Sequence, residues 1–195
     1  VRPDLIMYGC PSATLTHGPA FDRDLAARIK AQSGAETVTA AGALIHAMRT
    51  LAVTKIGFAS PYVGAINYQA VAFFAEMGVE TVARADIGVA LDNYGQGELS
   101  PDEVFALAMR ADGPEVEALV LSCTDMRSVE IIERLEATTG KPVFSSNQAM
   151  MFQAAEILNQ PLTAIQTLAD NAEILPNDVI TPATLADFDW EENTT

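Results

Sequence analysis

The chain is short of positive charge. Lysine and arginine number 11 against 26 aspartates and glutamates, a formal net charge of -15. Only Lys30, Lys55 and Lys141 are lysines. A surface of this sign repels phosphate backbones and anionic lipid, which argues against nucleic acid and membrane as partners. Two readings of the acidity compete, adaptation to a salt-rich medium and ordinary solubility. In either case an anionic ligand must be held by local groups, because the global field opposes it.

Long hydrophobic runs are absent as well. No apolar stretch approaches the roughly 18 residues of a membrane span, and no charged-then-apolar leader opens the sequence. The expectation is a soluble, unexported, cytoplasmic chain. The cysteines are Cys10 and Cys123, too few and too far apart for a disulfide-stapled scaffold. Free thiols in a reducing compartment are expected. His17 and His46 have no metal-ligand spacing, so no metal is expected. Gly95-Gln-Gly97 is too short for a nucleotide fingerprint, and no phosphate loop occurs, so no cofactor is expected either.

What is present is an alternation of strand and helix. Asp4–Tyr8 is a short apolar run ending in Gly9, as buried parallel strands do. Phe21–Gln32 has helical spacing, Thr37–Thr39 a brief strand pattern and Gly42–Leu51 an Ala-rich helix. Lys55–Ala59 is the next strand, and Pro61 is expected at a helix start. That helix runs through Ile66, Phe73 and Met77 to Gly78. Val79–Ala83 follows as a strand, Asp86–Leu99 as a Gly-rich loop, and Ser100-Pro-Asp-Glu103 opens a helix as a capping box. Ala118–Ser122 is the clearest buried strand. Met126–Thr138 is expected to be helical, Val143–Ser145 a strand and Asn147–Leu158 a helix. The segment after Gln160 carries prolines and an acidic end and is expected to pack loosely.

This order predicts an α/β fold with parallel sheets covered by helices. Two stretches repeat one design: Leu5-Ile-Met-Tyr-Gly-Cys10-Pro-Ser12 and Leu119-Val-Leu-Ser-Cys123-Thr-Asp125. Each is a buried strand, a small residue, a cysteine, then a polar turn feeding a helix. The cysteines are thereby placed at the carboxyl ends of strands, where open α/β sheets bind ligands. Backbone N–H groups of the following turns favour anions, and the same field is expected to lower a thiol pKa. Repetition in two halves implies two Rossmann-like lobes related by a pseudo-twofold, with a thiol on each side of the cleft. Such a pair can take a proton from one face of a carbon and return it to the other. It can equally combine covalent attack by one thiol with protonation by its mate. Against this stands the commoner fate of a lone cysteine, burial as a small hydrophobe.

The residues resemble the maleate cis–trans isomerase and arylmalonate decarboxylase group of the Asp/Glu racemase superfamily. Tyr8-Gly-Cys-Pro-Ser12 is similar to its first cysteine motif. Ser122-Cys-Thr-Asp-Met-Arg127, Glu133-Arg-Leu-Glu136 and Pro142–Gln148 are similar to the region of its second. Ser60-Pro-Tyr62 and Asp92-Asn93 resemble its ligand-facing turns. The motifs run in order over about residues 4 to 158.

The resemblance implies roles. Cys10 is the thiol that attacks or deprotonates carbon, and Cys123 is its acid or second base. Tyr62 and Asn93 hold a carboxylate, while Ser12, Thr124 and Asp125 sit in carboxylate-cradling turns. Without it, Tyr62 reads as a half-buried aromatic and Asn93 as a turn former. It also implies a lobe of residues 1–50 plus 148–195, a second lobe of 51–147, and a dimer or tetramer. The group has an earlier strand and loop with no counterpart here, so a further βαβ unit upstream is expected.

Two departures stand out. Pro11 replaces a usual Thr and removes an N–H. Asp125 replaces a common Asn and adds a negative charge. The implied activity is cofactor-independent isomerisation or racemisation of a small mono- or dicarboxylate, maleate- or aspartate-like, with ectoine-utilisation proteins among the relatives. The decarboxylase branch typically keeps only the second cysteine, which disfavours it. A non-catalytic carboxylate-binding module with buried thiols is the alternative from another class. A nucleotide-dependent α/β enzyme is the least supported.

Overall fold

The structure, a computed structural model, describes residues 2–159. Two parallel sheets organise it. The smaller pairs β1 (Leu5–Tyr8) with β2 (Glu36–Thr39). The larger has the order β4-β3-β5-β6, with β3 at Lys55–Ala59, β4 at Glu80–Ala85, β5 at Ala118–Leu121 and β6 at Val143–Ser145. The α/β expectation with parallel sheets holds.

Why the larger sheet is covered on both faces is visible in its side-chain alternation. Ile56, Phe58, Val120 and Phe144 enter one apolar cluster. Their strand neighbours Ala59, Leu119, Leu121 and Val143 enter the other. Successive strand residues point to opposite faces, so a run such as Ala118-Leu-Val-Leu121 feeds two cores at once. The first cluster is closed by α3 (Ala40–Thr50) and α4 (Gly64–Glu76), with α8 (Ser146–Ile157) packed against α3. The second is closed by α6 (Pro101–Met109) and α7 (Ile132–Thr139). Each fully buried Phe or Leu contributes roughly 1.5–3 kcal/mol. On β3, Gly57 is compulsory: a Cβ there would stand 2.0 Å from the Ala111 carbonyl oxygen.

Caps set the helix boundaries. Ser100 and Glu103 form the expected capping box on α6, and Ser145 and Gln148 form a second on α8. Gly78 and Gly140 follow α4 and α7 with φ of 83° and 68°, the left-handed region glycine tolerates.

Four local expectations are corrected. Asp86–Leu99 contains a helix, α5 (Asn93–Glu98), because the Asp92 side chain accepts from the Gly95 N–H at 2.8 Å and caps it. Glycine-rich composition hid that cap. Pro61 does not start a helix: α4 begins at Gly64 with Val63 as its cap residue. Cys10 is followed by no turn. It is itself the N-cap residue of α1 (Pro11–Thr16), which precedes α2 (Gly18–Ser33), and Pro11 at N1 is well suited to that start. The segment after Cys123 stays irregular as far as Ser128, passes through a 3₁₀ turn at Val129–Ile131 and becomes α-helical only at Ile132. The expectation for the segment after Gln160 lies outside the described residues.

His17 and His46 each make local contacts. The His17 ring lies beside Phe21 and bonds the Ala13 carbonyl, while His46 pairs with Glu156 and stacks on Phe152. Among the described residues no helix is long and apolar enough to cross a membrane. No group of three or more His, Cys, Asp or Glu is placed to hold a metal among them.

Candidate active site

The carboxyl ends of β1, β3 and β5 open on one cleft of about 310 Å³. Its walls include Cys10 and Ser12 from the start of α1, Tyr62 from the β3–α4 turn, Asn93 from α5, and Thr124 and Asp125 from the turn after β5. Six residues picked from four separate stretches of sequence thus meet in one place. Parallel strands running the same way bring every strand-end turn to the same edge, which is why this edge collects ligand sites.

Cys123, the seventh, is placed differently. Cys10 is half-buried and lines the cleft, whereas Cys123 is 1% exposed and stands behind its wall. The two thiols are therefore not an equivalent facing pair. Tyr62, 7% exposed, connects them: its hydroxyl interacts with the Ser12 side chain and with the Cys123 and Cys10 thiols. Burial first, and then the neighbouring cysteines, push the Tyr62 phenol far above its ordinary value, so it is a neutral donor at any physiological pH.

The Cys123 thiol is also pushed up, against the expectation of a lowered value. Burial is the main cause, and the Asp125 carboxylate adds to it. Hydrogen bonds from Tyr62 and from the backbone N–H groups of Asp125 and Met126 oppose the shift without reversing it. The predicted field exists, but loss of solvation outweighs it. At Cys10 the sulfur lies 3.6 Å from the Ser12 hydroxyl, and its carbonyl accepts from the Thr14 hydroxyl at 3.1 Å.

Support comes from buried polar contacts. The Ser60 hydroxyl donates to the Asn67 carboxamide and accepts from the Tyr62 N–H at 3.2 Å, and Asn67 Nδ2 donates to the Tyr62 carbonyl at 3.4 Å. This fixes the turn that delivers Tyr62. Thr124 Oγ1 donates to the Gly9 carbonyl at 3.0 Å, and Asn147 Nδ2 donates to the Thr124 carbonyl at 3.0 Å. Sequence reasoning missed Gln96 and Ile66, which also line the cleft. Gln96 is 8% exposed and accepts from the Cys123 thiol at 3.1 Å. The signal for it lay in α5, unseen because its glycines read as loop.

Among the described residues none that lines the cleft is Lys, Arg or His, and Asp125 contributes a carboxylate. A bound anion would be held by neutral donors.

The family model for arylmalonate decarboxylase matches residues 6–167. The chain belongs to this family. Its relatives include maleate isomerases. That of Geobacillus stearothermophilus is 29% identical over 164 residues, covering 81% of this chain and 65% of the relative. The arylmalonate decarboxylase of Bordetella bronchiseptica is 26% identical over 161 residues, 75% of this chain and 61% of the relative. The chain thus spans under two thirds of the length of these curated relatives. Among solved structures, a mutant of the Nocardia farcinica maleate cis-trans isomerase with a covalently bound succinylcysteine intermediate superposes with a TM-score of 0.78 at 28% identity, covering 82% of this chain and 67% of that one. Family members of this kind have the two-lobed α/β fold expected here.

Proposed function

We propose that this family member is a cofactor-independent isomerase of a small carboxylate of the maleate type, working through Cys10 and Cys123. The observation that carries the reading is the asymmetry of the thiols at one cleft, with Cys10 lining it and Cys123 buried behind it as a weak acid.

The chemistry follows from that difference. The Cys10 thiolate adds to one carbon of a cis carbon–carbon double bond, and the π electron pair moves to the neighbouring carbon. The Cys123 thiol gives its proton to that carbon, leaving a thioether on Cys10 and a thiolate at Cys123. Rotation about the new single bond brings the chain to the trans arrangement. Cys123 then takes the proton back, the double bond re-forms and Cys10 departs as thiolate. Tyr62 and Asn93 hold a carboxylate, with Ser12, Thr124 and Asp125 shaping its turns. The covalent succinylcysteine in the Nocardia farcinica enzyme supports the adduct. The thiols supply both nucleophile and acid, so no cofactor is required.

Decarboxylation is the second reading, favoured by the family match itself and by the Bordetella bronchiseptica relative. The names of these relatives favour both readings over racemisation.

The test is iodoacetamide labelling of each cysteine across pH, with and without maleate and with aspartate, read by mass spectrometry beside a maleate-to-fumarate assay. Ligand-protected labelling at Cys10 together with turnover is expected. Release of carbon dioxide from an arylmalonate without maleate turnover would select the decarboxylase. Slow labelling blind to every carboxylate would leave a non-catalytic binding module.

A further inference from the structure

The environment of Cys123 has one feature that the relatives' names do not assign. Its sulfur is addressed by several donors, the Tyr62 hydroxyl and the N–H groups of Asp125 and Met126. It faces an acceptor in Gln96 Oε1, at 3.1 Å. That acceptor cannot turn away. Gln96 Nε2 donates to the Leu91 carbonyl at 3.0 Å, and a carbonyl only accepts, so the amide must keep its nitrogen there and its oxygen on the thiol. Gln96 is held on α5, whose start is fixed four residues earlier by the cap at Asp92. Gln96 is 8% exposed, so the bond is largely shielded from water.

We propose that Gln96 is a positioning residue that holds Cys123 as a neutral thiol, its proton directed by the fixed amide oxygen. This rests on the isomerase reading and deepens it. An acceptor facing the sulfur is satisfied by the S–H and repelled by the thiolate. Gln96 therefore stores the proton on Cys123 until a carbon nucleophile forms in the cleft, and it favours return of the proton afterwards. The ionisable groups facing Cys123 are the Tyr62 phenol from the β3–α4 turn and the Asp125 carboxylate from its own turn, with Cys10 acting on the same Tyr62 from α1. Gln96 differs from these ionisable neighbours in being uncharged at every pH while accepting a hydrogen bond from the thiol.

The experiment compares Gln96→Met, which keeps the bulk and deletes the acceptor, with Gln96→Glu, which offers a stronger one. The pH midpoint of iodoacetamide labelling is read separately at Cys123 and Cys10, with maleate turnover measured on the same proteins. Gln96→Met should lower the Cys123 midpoint by roughly half to one pH unit, the size of one ordinary hydrogen bond. Gln96→Glu should raise it and raise Cys10 less, through its charge alone, while Gln96→Met should leave Cys10 where it is. A purely structural residue would shift both cysteines equally or neither, and either result overturns the proposal. Opposed shifts at Cys123 in the two variants, with no maleate turnover by the wild-type protein, would support Gln96's hold on the thiol and count against the isomerase reading alone.

Discussion

The Thr124 hydroxyl donates to the Gly9 carbonyl at 3.0 Å, joining the residue after Cys123 to the residue before Cys10. Asn147, at the start of α8, donates to the Thr124 carbonyl and extends the tie. The two cysteine segments, more than a hundred residues apart in sequence, are thus held by one side chain. Thr124→Val keeps the shape and removes the bond. Stability should fall by only about 1 kcal/mol. Turnover should fall further, by about tenfold to a hundredfold, because small displacements of reacting groups are expensive. Equal turnover by the two proteins in a steady-state assay would show that the tie does not position the thiols.

Cys123 should respond to Tyr62 in the direction opposite to Gln96. The phenol donates to the sulfur and favours its ionised form. Tyr62→Phe should therefore raise the pH at which Cys123 is alkylated above its already elevated wild-type value. Mass-spectrometric labelling across pH reads this directly, and an unchanged or lowered midpoint would contradict it.

Asp125 opposes an anion in a cleft that, among the described residues, is lined by no cationic side chain. Asp125→Asn should tighten binding of a dianion such as maleate by about 1 kcal/mol, roughly fivefold, at low salt. The gain should shrink as salt is added, since exposed charges are screened. Protection of Cys10 from iodoacetamide at graded maleate concentrations gives the affinity. Weaker protection in the variant would mean that Asp125 contributes to holding the ligand.

Asp22 offers a pH test of the fold itself. It is buried on α2 against the start of α3, and Oδ1 has no hydrogen-bond partner among the described residues. Burial holds its carboxyl above the ordinary value, and the Thr39 hydroxyl and Arg23 only partly offset this. A raised folded-state value means that stability is fully present while Asp22 is protonated, below its unfolded pKa of about 4, and is lost as pH rises through the folded value. Asp22→Asn should raise Tm at neutral pH, with the gain vanishing on acidification. A variant less stable than wild type at pH 7 would show that the anion is favoured by the α3 N-terminus instead.

Gly57→Ala should destabilise by about 1–3 kcal/mol or more, because the added methyl meets backbone at Ala111 and not a yielding side chain. Chemical denaturation measures it. A change within a few tenths of a kcal/mol would require the α6–β5 connection to shift freely.

Much of this was legible from the sequence because it is local. Apolar runs such as Ala118–Leu121 mark buried strands, Ser100 and Glu103 mark a helix start, and the two strand-small-Cys segments mark strand-end turns. Parallel strand order then carries Cys10, Ser12, Tyr62, Asn93, Thr124 and Asp125 to one edge of the fold. Tertiary structure alone decided what those residues experience. Burial of Cys123 behind the cleft depends on α5, and α5 depends on a cap at Asp92 within a glycine-rich stretch that propensity assigns to loop. The choice of Gln96 as the thiol's acceptor, the tie from Thr124 to Gly9 and the upward pull on Cys123 all depend on distances between segments far apart in the chain. Desolvation is set by everything that surrounds a group, and that is why no local pattern could supply it.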